Sequence, residues 1–527
     1  MSLTASTDAL AAVQAAIGSL QQFADSATSP TVDLSDGSAV SELRAQLRRA
    51  MEHVSAALPA LQALIPGSKP QSHNHPNHPG SLPHDILAEV LKTWFTLAGG
   101  LGSSTRGRPL SAGYVAASVN RHWRAVAIAT PLLWTRTILD FDAMDGIGMH
   151  IETVLSRSKA STLDVQCLRA PWKADRELAS NLIDQLAALF SRCACLSISW
   201  HADFVFRISR DRLHFEHSLL PLLQLSMPHL KAISLEGFWH NAFHGDNLID
   251  TRLLTLCPNL QDLDIEKLPL RFIDAASLPR LRSFSSGDML PGAELAALCH
   301  AWPMLQSLDV AGVRDGTPLT LLELRTLYCR TPGIFQCLAS PAATPHLQEI
   351  HIAAVPHLQA ALAGFLSTVA CSSLRVLELR HVRRSPAPPP ATASFVRLFS
   401  SLPGLVELRL VDMTDKELSD LFIVWKDTVE HPASLELIAL RQCSIDGSVT
   451  RALVNFLTRR QQLTGKCLPS LSLVQEGRLD AHYVTCPEWI RPRLEQLVQC
   501  VRIDTSTAFT CSVDDYYVQT GGSRVVS

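Results

Sequence analysis

The chain has 527 residues, of which 47% are hydrophobic and 18% are charged. This composition excludes a wholly disordered chain and a small disulfide scaffold, and the length predicts several domains or one long repeat array. Lys and Arg total 46 against 49 Asp and Glu, so a net charge of −3 gives no global attraction to nucleic acid or to an anionic membrane.

The expected compartment follows from the cysteines and from the apolar runs. The 13 cysteines are scattered without a CxxC pair, which is typical of reduced thiols. No apolar run approaches the roughly 18 residues that a membrane-spanning helix needs. The N-terminus also lacks a basic stretch followed by an apolar core. We therefore expect a cytoplasmic or nuclear protein with no membrane partner and no nucleic-acid partner.

Residues 1–65 predict amphipathic helices. Val40, Leu43 and Leu47 begin a series of apolar residues at alternating steps of three and four, as in a coiled-coil seam, and Pro59 interrupts that series. The pattern fits either dimerisation or partner docking, or a helix that packs on its own protein. Both interpretations remain open at this point.

Residues 66–80 predict a linker, because Pro, His, Asn and Gly dominate them. His73, His75 and His78 are candidate metal ligands by residue type. The tract offers no Cys or carboxylate to complete a site, so we expect no metal ion here.

The ordered pattern of apolar residues and prolines in residues 81–135 predicts a small helical unit. A Leu-Pro opening precedes an apolar helix, a second apolar helix contains a tryptophan, and a Pro-Leu-Leu-Trp segment ends the unit. The positions that define this ordered pattern are Leu82, Pro83, Ile86, Leu87, Val90, Leu91, Val119, Trp123, Pro131 and Trp134.

This pattern resembles the F-box family over residues 82–134. The resemblance implies a three-helix unit that docks the Skp-type adaptor of a cullin–RING ubiquitin ligase, with the ten residues above as the adaptor-binding set. Two departures raise the question of whether the unit is functional: Asn120 stands where the family often has Cys, and the insertion at 97–113 is long. The alternative interpretation is that the same apolar residues form the core of a helical cap.

Residues 160–505 repeat the motif hxxhxh, in which h is apolar. Copies begin at Leu230, Leu260, Leu281, Leu305, Leu324, Leu347, Leu374, Leu405 and Leu435, and successive starts lie 19 to 31 residues apart. Such spacing is typical of leucine-rich repeats, although it is more irregular. Weaker copies occur near Leu196 and Leu471. Many copies follow a proline, where a helix must end.

The expected fold class is therefore α+β: a small all-helical F-box unit followed by an irregular leucine-rich-repeat-like α/β solenoid. Residues 506–527 are expected to form a tail. The resemblance to the fungal type of F-box protein with a C-terminal repeat array then spans most of the chain, as a pattern match outside residues 82–134.

Residues that alternate with the apolar positions of a strand face the opposite, concave side of such an array. In the first half these positions are acidic, with a sum of −5 that includes Glu236; in the second half they are mixed, with a sum of +1. The candidate target-binding residues are Asp262, Asp264, Glu266, Asp309, Arg380, Arg409 and Arg441. The competing interpretation is that they are ordinary solvated strand residues. Spacing alone also suggests a metal site at Asp262, Asp264 and Glu266, but nothing else in the sequence supports one.

The motifs of common catalytic sites are absent: there is no HExxH, no GxSxG and no P-loop. We therefore expect a non-catalytic protein without cofactors. The leading hypothesis is the substrate-recognition subunit of an SCF-type ubiquitin ligase, with a Skp-type adaptor, a cullin core and an unknown target as partners. The alternative is a non-ligase repeat scaffold for protein–protein interaction with a degenerate F-box.

Overall fold

The structure is a computed structural model that describes part of the chain. The described residues are 84–97, 112–141, 146–170, 180–200, 220–236, 252–266, 268, 270–338, 340, 343–353, 361–366, 373–380, 402, 404–427, 434–443, 445–474 and 490–504. The predicted N-terminal helices, the histidine linker, most of the 97–113 insertion and the tail lie outside these residues, as do Leu82 and Pro83. The chain divides into two compact units, Met1–Leu230 and Lys231–Ser527.

The first unit begins with helices in the segment where the sequence predicts them. They are α1 (His84–Leu97), α2 (Ala112–Val119), α3 (Arg121–Ala129) and a 3-10 turn, Pro131–Trp134. Asn120, the departure from the family pattern, is the N-cap of α3, since its side-chain oxygen accepts a hydrogen bond of 2.9 Å from the backbone N–H of Trp123. This is a common role for Asn, and it gives α3 a defined start.

Strands begin earlier than residue 160. The rest of the first unit consists of β1 (Arg136–Asp140), α4 (Ile147–Arg157), β2 (Leu163–Ala170), α5 (Ser180–Phe190) and β3 (Cys193–Trp200). Strand β2 pairs in parallel with both β1 and β3. The hxxhxh motif does not include β1 and β2, because these strands alternate apolar and polar residues without the leading leucine of the motif. The boundary between the two units also falls inside the predicted array.

The second unit continues the alternation of strands and short helices. Its strands are β4 (Ala232–Glu236), β5 (Asp262–Ile265), β6 (Ser283–Leu290), β7 (Ser307–Val313), β8 (Thr326–Cys329), β9 (Glu349–Ala353), β10 (Val376–Arg380), β11 (Glu407–Val411), β12 (Leu437–Arg441), β13 (Leu468–Val474) and β14 (Val498–Asp504). Its labelled helices are α6 (Gly292–Ala301), α7 (Gly333–Cys337), α8 (Asp415–Asp427), α9 (Gly447–Thr464) and α10 (Arg491–Leu497).

Each described strand of this unit pairs in parallel with the next strand of the chain. Parallel neighbours need a crossover between them, and helices or irregular segments supply it. The result is a mixed α/β arrangement with an open parallel sheet, which is compatible with the solenoid that the repeats predict.

The apolar positions of the repeat motif form the core, as predicted. In the copy that begins at Leu260, Leu263 is 1% exposed and Ile265 is 0% exposed. The copies that begin at Leu347 and Leu405 are buried in the same way. Register explains the regularity, because each motif leucine pairs with its counterpart on the next strand, as Leu377 does with Leu408. The core is thus a ladder of aliphatic side chains behind the strands.

Candidate binding surfaces

The helical part of the first unit is organised around Trp134. Its indole N–H donates a hydrogen bond of 2.8 Å to the carbonyl of Ala127, and the side chain is 0% exposed. The ring of Tyr114 meets it edge-on at a centroid distance of 5.1 Å, and the guanidinium carbon of Arg157 lies 4.4 Å from its ring centroid. Both are favourable geometries for an indole. Trp134 therefore joins α2, α3 and α4.

The predicted adaptor-binding residues separate into two groups by exposure. Leu87 and Leu91 are 0% and 2% exposed, and Trp123 and Trp134 are 4% and 0% exposed. These four side chains pack in one core cluster with Phe95, Val126 and Leu133. In the structure these four side chains hold the helices together, and they expose little surface to a partner.

Three further members lie nearer the surface, whereas Leu82, Pro83 and the side chain of Ile86 lie outside what the structure describes. Val119 is 37% exposed, and Val90 and Pro131 are half-buried. Two apolar residues that the sequence pattern did not single out, Ile128 and Leu132, are 41% and 39% exposed. Exposed apolar side chains on a small helical unit are the natural contacts for an apolar partner groove.

Charged residues of the second unit lie on its strand face, which is the side opposite the leucine ladder. We call Glu236, Asp262, Asp264 and Glu266 the acidic group. Ser234 donates a hydrogen bond of 2.9 Å to Asp264. Burial raises the pKa of Glu236 to about 7, and repulsion from Asp264 and Glu266 adds to this effect. The carboxylates of Glu236, Asp264 and Glu266 are thus close enough to interact, as their places on adjacent strands predict.

A second set of charges occupies the strand face of β9, β10 and β11. We call Glu349, His351, Glu378, Glu407 and Arg409 the ionic cluster. Arg409 Nε donates to Glu407 at 2.7 Å, and its Nη1 lies 4.0 Å from Glu349. Arg409, a predicted target-binding residue, therefore has its guanidinium engaged within the protein and is only 23% exposed.

His351 lies at the centre of the ionic cluster. Its Nδ1 is 3.3 Å from Glu378 Oε2 and its Nε2 is 3.5 Å from Glu349 Oε2, but neither nitrogen has the geometry of a hydrogen bond. We treat these contacts as electrostatic for that reason. Burial alone would raise the pKa of Glu378, yet His351, Arg380 and Arg409 together hold it below its usual range.

Tyr328 is the residue that sequence reasoning missed on this face. It stacks on His351 with a centroid distance of 4.1 Å and an interplanar angle of 17°. The signal was present, since Tyr328 is the fourth residue after Leu324 in a faint copy of the motif. Register then places it beside His351, and Asp309 beside Tyr328, in one row across the sheet.

Arg380 and Arg441 end strands β10 and β12. Arg380 Nη2 is 3.3 Å from Glu378 Oε1, and its side chain is 34% exposed. Arg441 is exposed and, within the described residues, contacts no carboxylate. Of the three predicted basic candidates, the structure thus leaves Arg441 the most accessible.

The structure also bears on metal ions and membranes. Within the described residues, no group of three or more His, Cys, Asp or Glu side chains is placed to hold a metal ion. The histidines of the linker lie outside that region. None of the described helices is long and apolar enough to cross a membrane.

Comparisons with known proteins add little to this geometry. No protein-family model matches the chain, and no curated protein matches it. Among solved structures, the chain is similar to a structural-genomics target from Bacteroides fragilis at 13% identity, with a TM-score of 0.30 over 61% of this chain and 77% of that one.

Proposed function

We propose that the protein is a non-catalytic substrate receptor of an SCF-type, cullin–RING ubiquitin ligase. Its helical unit docks a Skp-type adaptor, and its strand face binds a target protein. Binding of both partners at once brings the target close to a ubiquitin-charged enzyme, and the gain is proximity alone. The site of action is the cytoplasm or the nucleus.

The observation that carries the proposal is the way in which the ordered motif of residues 82–134 packs. Leu87, Leu91, Trp123 and Trp134 come from three different elements and converge on one core. Val119 stays exposed. The motif thus supplies both a core and a surface, which a docking unit requires.

A non-ligase repeat scaffold is the second candidate, and one observation favours it. Four of the ten motif residues are buried in the helical core, and a cap that only shields the end of a strand array needs the same burial. In that case the strand face still binds a partner, but no adaptor joins the complex.

Affinity capture from cells with the proteasome blocked tests the proposal. Ile86→Asp changes the adaptor motif on α1, and Thr93→Asp introduces the same charge at an exposed position of the same helix. We expect the wild type and Thr93→Asp to capture both adaptor and target. Ile86→Asp should lose the adaptor and still capture the target, because the target binds the strand face and not the helical unit.

Leu87→Asp is unsuitable for this purpose. Leu87 is 0% exposed, so a buried carboxylate would unfold the helical unit and remove the adaptor for an indirect reason. If the wild type captures no adaptor while its helical unit is folded, the ligase proposal fails and the scaffold remains.

A further inference from the structure

Three arginines of the second unit occupy one row at the carboxyl ends of the strands. Arg380 pairs with Val411, and Val411 pairs with Arg441, so Arg380 and Arg441 are level with each other across β10, β11 and β12.

A third arginine joins this row on the other side of β10, where Arg380 pairs with Ala353 of β9. Cys329 of β8 pairs with Ile352, which places the next residue, Arg330, level with Ala353. We call Arg330, Arg380 and Arg441 the arginine row.

Two of the three arginines in the arginine row have no carboxylate partner among the described residues. Arg330 and Arg441 are both exposed, and within the described ranges neither contacts a carboxylate. Arg380 is partly engaged by Glu378 at 3.3 Å. Two guanidinium groups, each with five N–H donors, are therefore available to an incoming anion.

The carboxylates behind the row do not cancel this charge. Glu407 is held by Arg409 at 2.7 Å, and Arg409 also approaches Glu349 at 4.0 Å. Glu378, which is 8% exposed at its side chain, is enclosed by His351 and Arg380. Glu349, Glu378 and Glu407 thus have basic partners within the ionic cluster, whereas Arg330 and Arg441 at its edge are exposed.

The spacing of the row indicates the form of its ligand. Adjacent strands lie about 4.8 Å apart, so arginines on every second strand are about 10 Å apart at the backbone. A polyproline II segment rises about 3.1 Å per residue with three residues per turn, so side chains three residues apart share one face at about 9 Å. Anionic side chains at every third position therefore match the arginine row.

We propose that the arginine row binds an extended, anionic polypeptide segment that crosses β8 to β12, with negative side chains at positions i, i+3 and i+6. This deepens the proposed function, because it states the chemistry of the target, and it rests on the strand-face half of that proposal alone. The shared chemistry is an anionic oxygen, which a carboxylate or a phosphate can supply.

Fluorescence anisotropy with the purified full-length chain tests this inference. The probe is a labelled peptide of three Glu-Pro-Pro repeats, compared with a peptide of the same composition in which the glutamates are adjacent. The wild type should bind the repeated peptide more tightly than the clustered one by at least about three-fold. Replacing Arg330 and Arg441 together by Ala should weaken binding by about five- to twenty-fold, since each exposed ion pair is modest.

Two controls keep the result interpretable. Replacing Arg451 and Arg459 by Ala removes the same charge from exposed positions of α9 and should leave binding unchanged. Asp412 adjoins the row and has a left-handed backbone with φ of 56°, where Asn is also tolerated. Asp412→Asn should therefore fold normally and strengthen binding.

Further arms identify the source of the anion. A peptide of three phosphoserine-Pro-Pro repeats that binds more tightly assigns the row to a phosphorylated segment, and equal or weaker binding assigns it to a carboxylate-rich one. Equal binding by the wild type and the double Arg variant overturns the inference, as does the absence of binding. Stronger competition by a single-stranded RNA of matched charge would also overturn it.

Failure here is distinguishable from failure of the ligase proposal. The peptide measurement involves no adaptor, and adaptor capture involves no arginine of the row. A chain that captures the adaptor but ignores the peptide loses this inference alone. A chain that binds the peptide but never the adaptor loses the ligase function and keeps the arginine row.

Discussion

Tyr114 of α2 both stacks on His150 of α4 and hydrogen-bonds to it. The ring centroids are 5.3 Å apart with an interplanar angle of 25°, and the Tyr114 hydroxyl lies 3.0 Å from His150 Nδ1. The other ring nitrogen of His150 is 2.7 Å from the Thr137 hydroxyl on β1. The helical unit is therefore joined to β1 and α4 by a polar network as well as by the core around Trp134.

His150 should make this junction sensitive to acid. Burial lowers the pKa of His150 below its usual value of about 6.5, so the folded state favours the neutral ring. The unfolded chain then binds more protons than the folded one as pH falls below about 6.5. The stabilisation is present above that pH and is lost progressively below it.

Hydrogen–deuterium exchange of peptides that cover α2 and α4 measures this effect. We expect faster exchange at pH 5.5 than at pH 7.5, after correction for the intrinsic rate, and a smaller pH effect in His150→Gln. His122→Gln is the control, because His122 lies on α3 outside this network. An identical pH response in the wild type and His150→Gln would assign the sensitivity to another group.

Gly113→Ala should destabilise the first unit. A Cβ at this position would lie 2.6 Å from two ring atoms of Trp134, which is closer than any real contact allows. Overpacking of this kind costs about 1–3 kcal/mol. Gly447→Ala is the control, since nothing lies within 4 Å of a Cβ there. Thermal unfolding monitored by tryptophan fluorescence should show a lower unfolding temperature for Gly113→Ala than for the wild type, and no change for Gly447→Ala.

Arg460→Met should destabilise the second unit. Arg460 is 2% exposed, and it donates hydrogen bonds to the carbonyls of Leu435 at 2.8 Å and of Lys466 at 3.3 Å. Removal of the guanidinium leaves the buried carbonyl of Leu435 without that donor, at a cost of about 1–3 kcal/mol, whereas the carbonyl of the exposed Lys466 also accepts from the Thr464 hydroxyl. Its neighbour Arg459 is exposed, so Arg459→Met is the control. Urea denaturation should separate the two variants, and equal midpoints would contradict the proposed role of Arg460.

The substitution Glu236→Gln should reduce the loss of folding stability that the wild type shows as the pH rises. Burial, with repulsion from Asp264 and Glu266, raises the pKa of Glu236 to about 7 in the folded state, against about 4.3 when the chain is unfolded. The stabilisation is therefore complete below about pH 4.3 and is lost as pH rises through about 7.

Denaturant unfolding at several pH values between 5 and 8 tests this prediction. The wild type should lose stability with rising pH more steeply than Glu236→Gln. Glu436→Gln, at an exposed position, should follow the wild type. Parallel pH profiles of the wild type and Glu236→Gln would contradict the prediction, because they would show that ionisation of Glu236 does not lower the stability.

The sequence predicted those features of the fold that depend on local periodicity. Leu263, Leu377 and Leu408 are buried where the hxxhxh motif places them, because alternation along a strand decides which side chain faces the core. Strand β1 was missed, since it lacks the leading leucine and its pairing with β2 is set by residues distant in the chain. The same limit applies to Arg460, whose acceptor on Leu435 lies 25 positions away.

The binding surfaces were less predictable, for two physical reasons. An anchor for a partner and a core residue of a small helical unit share the same apolar spacing, so Leu87 and Trp134 could not be distinguished from Val119 without exposed areas. Charge counts along the chain also ignore pairing across strands. Arg409 counts as a free cation in the sequence, but Glu407 engages it at 2.7 Å.

Direct binding of the purified full-length chain to a purified Skp-type adaptor tests the central claim most directly, with gel filtration and light scattering as the measurement. The ligase-receptor proposal predicts co-elution as a one-to-one complex that Ile86→Asp abolishes and Thr93→Asp preserves. A wild-type chain that elutes separately from the adaptor, while α1, α2 and α3 are protected from hydrogen exchange, would contradict it.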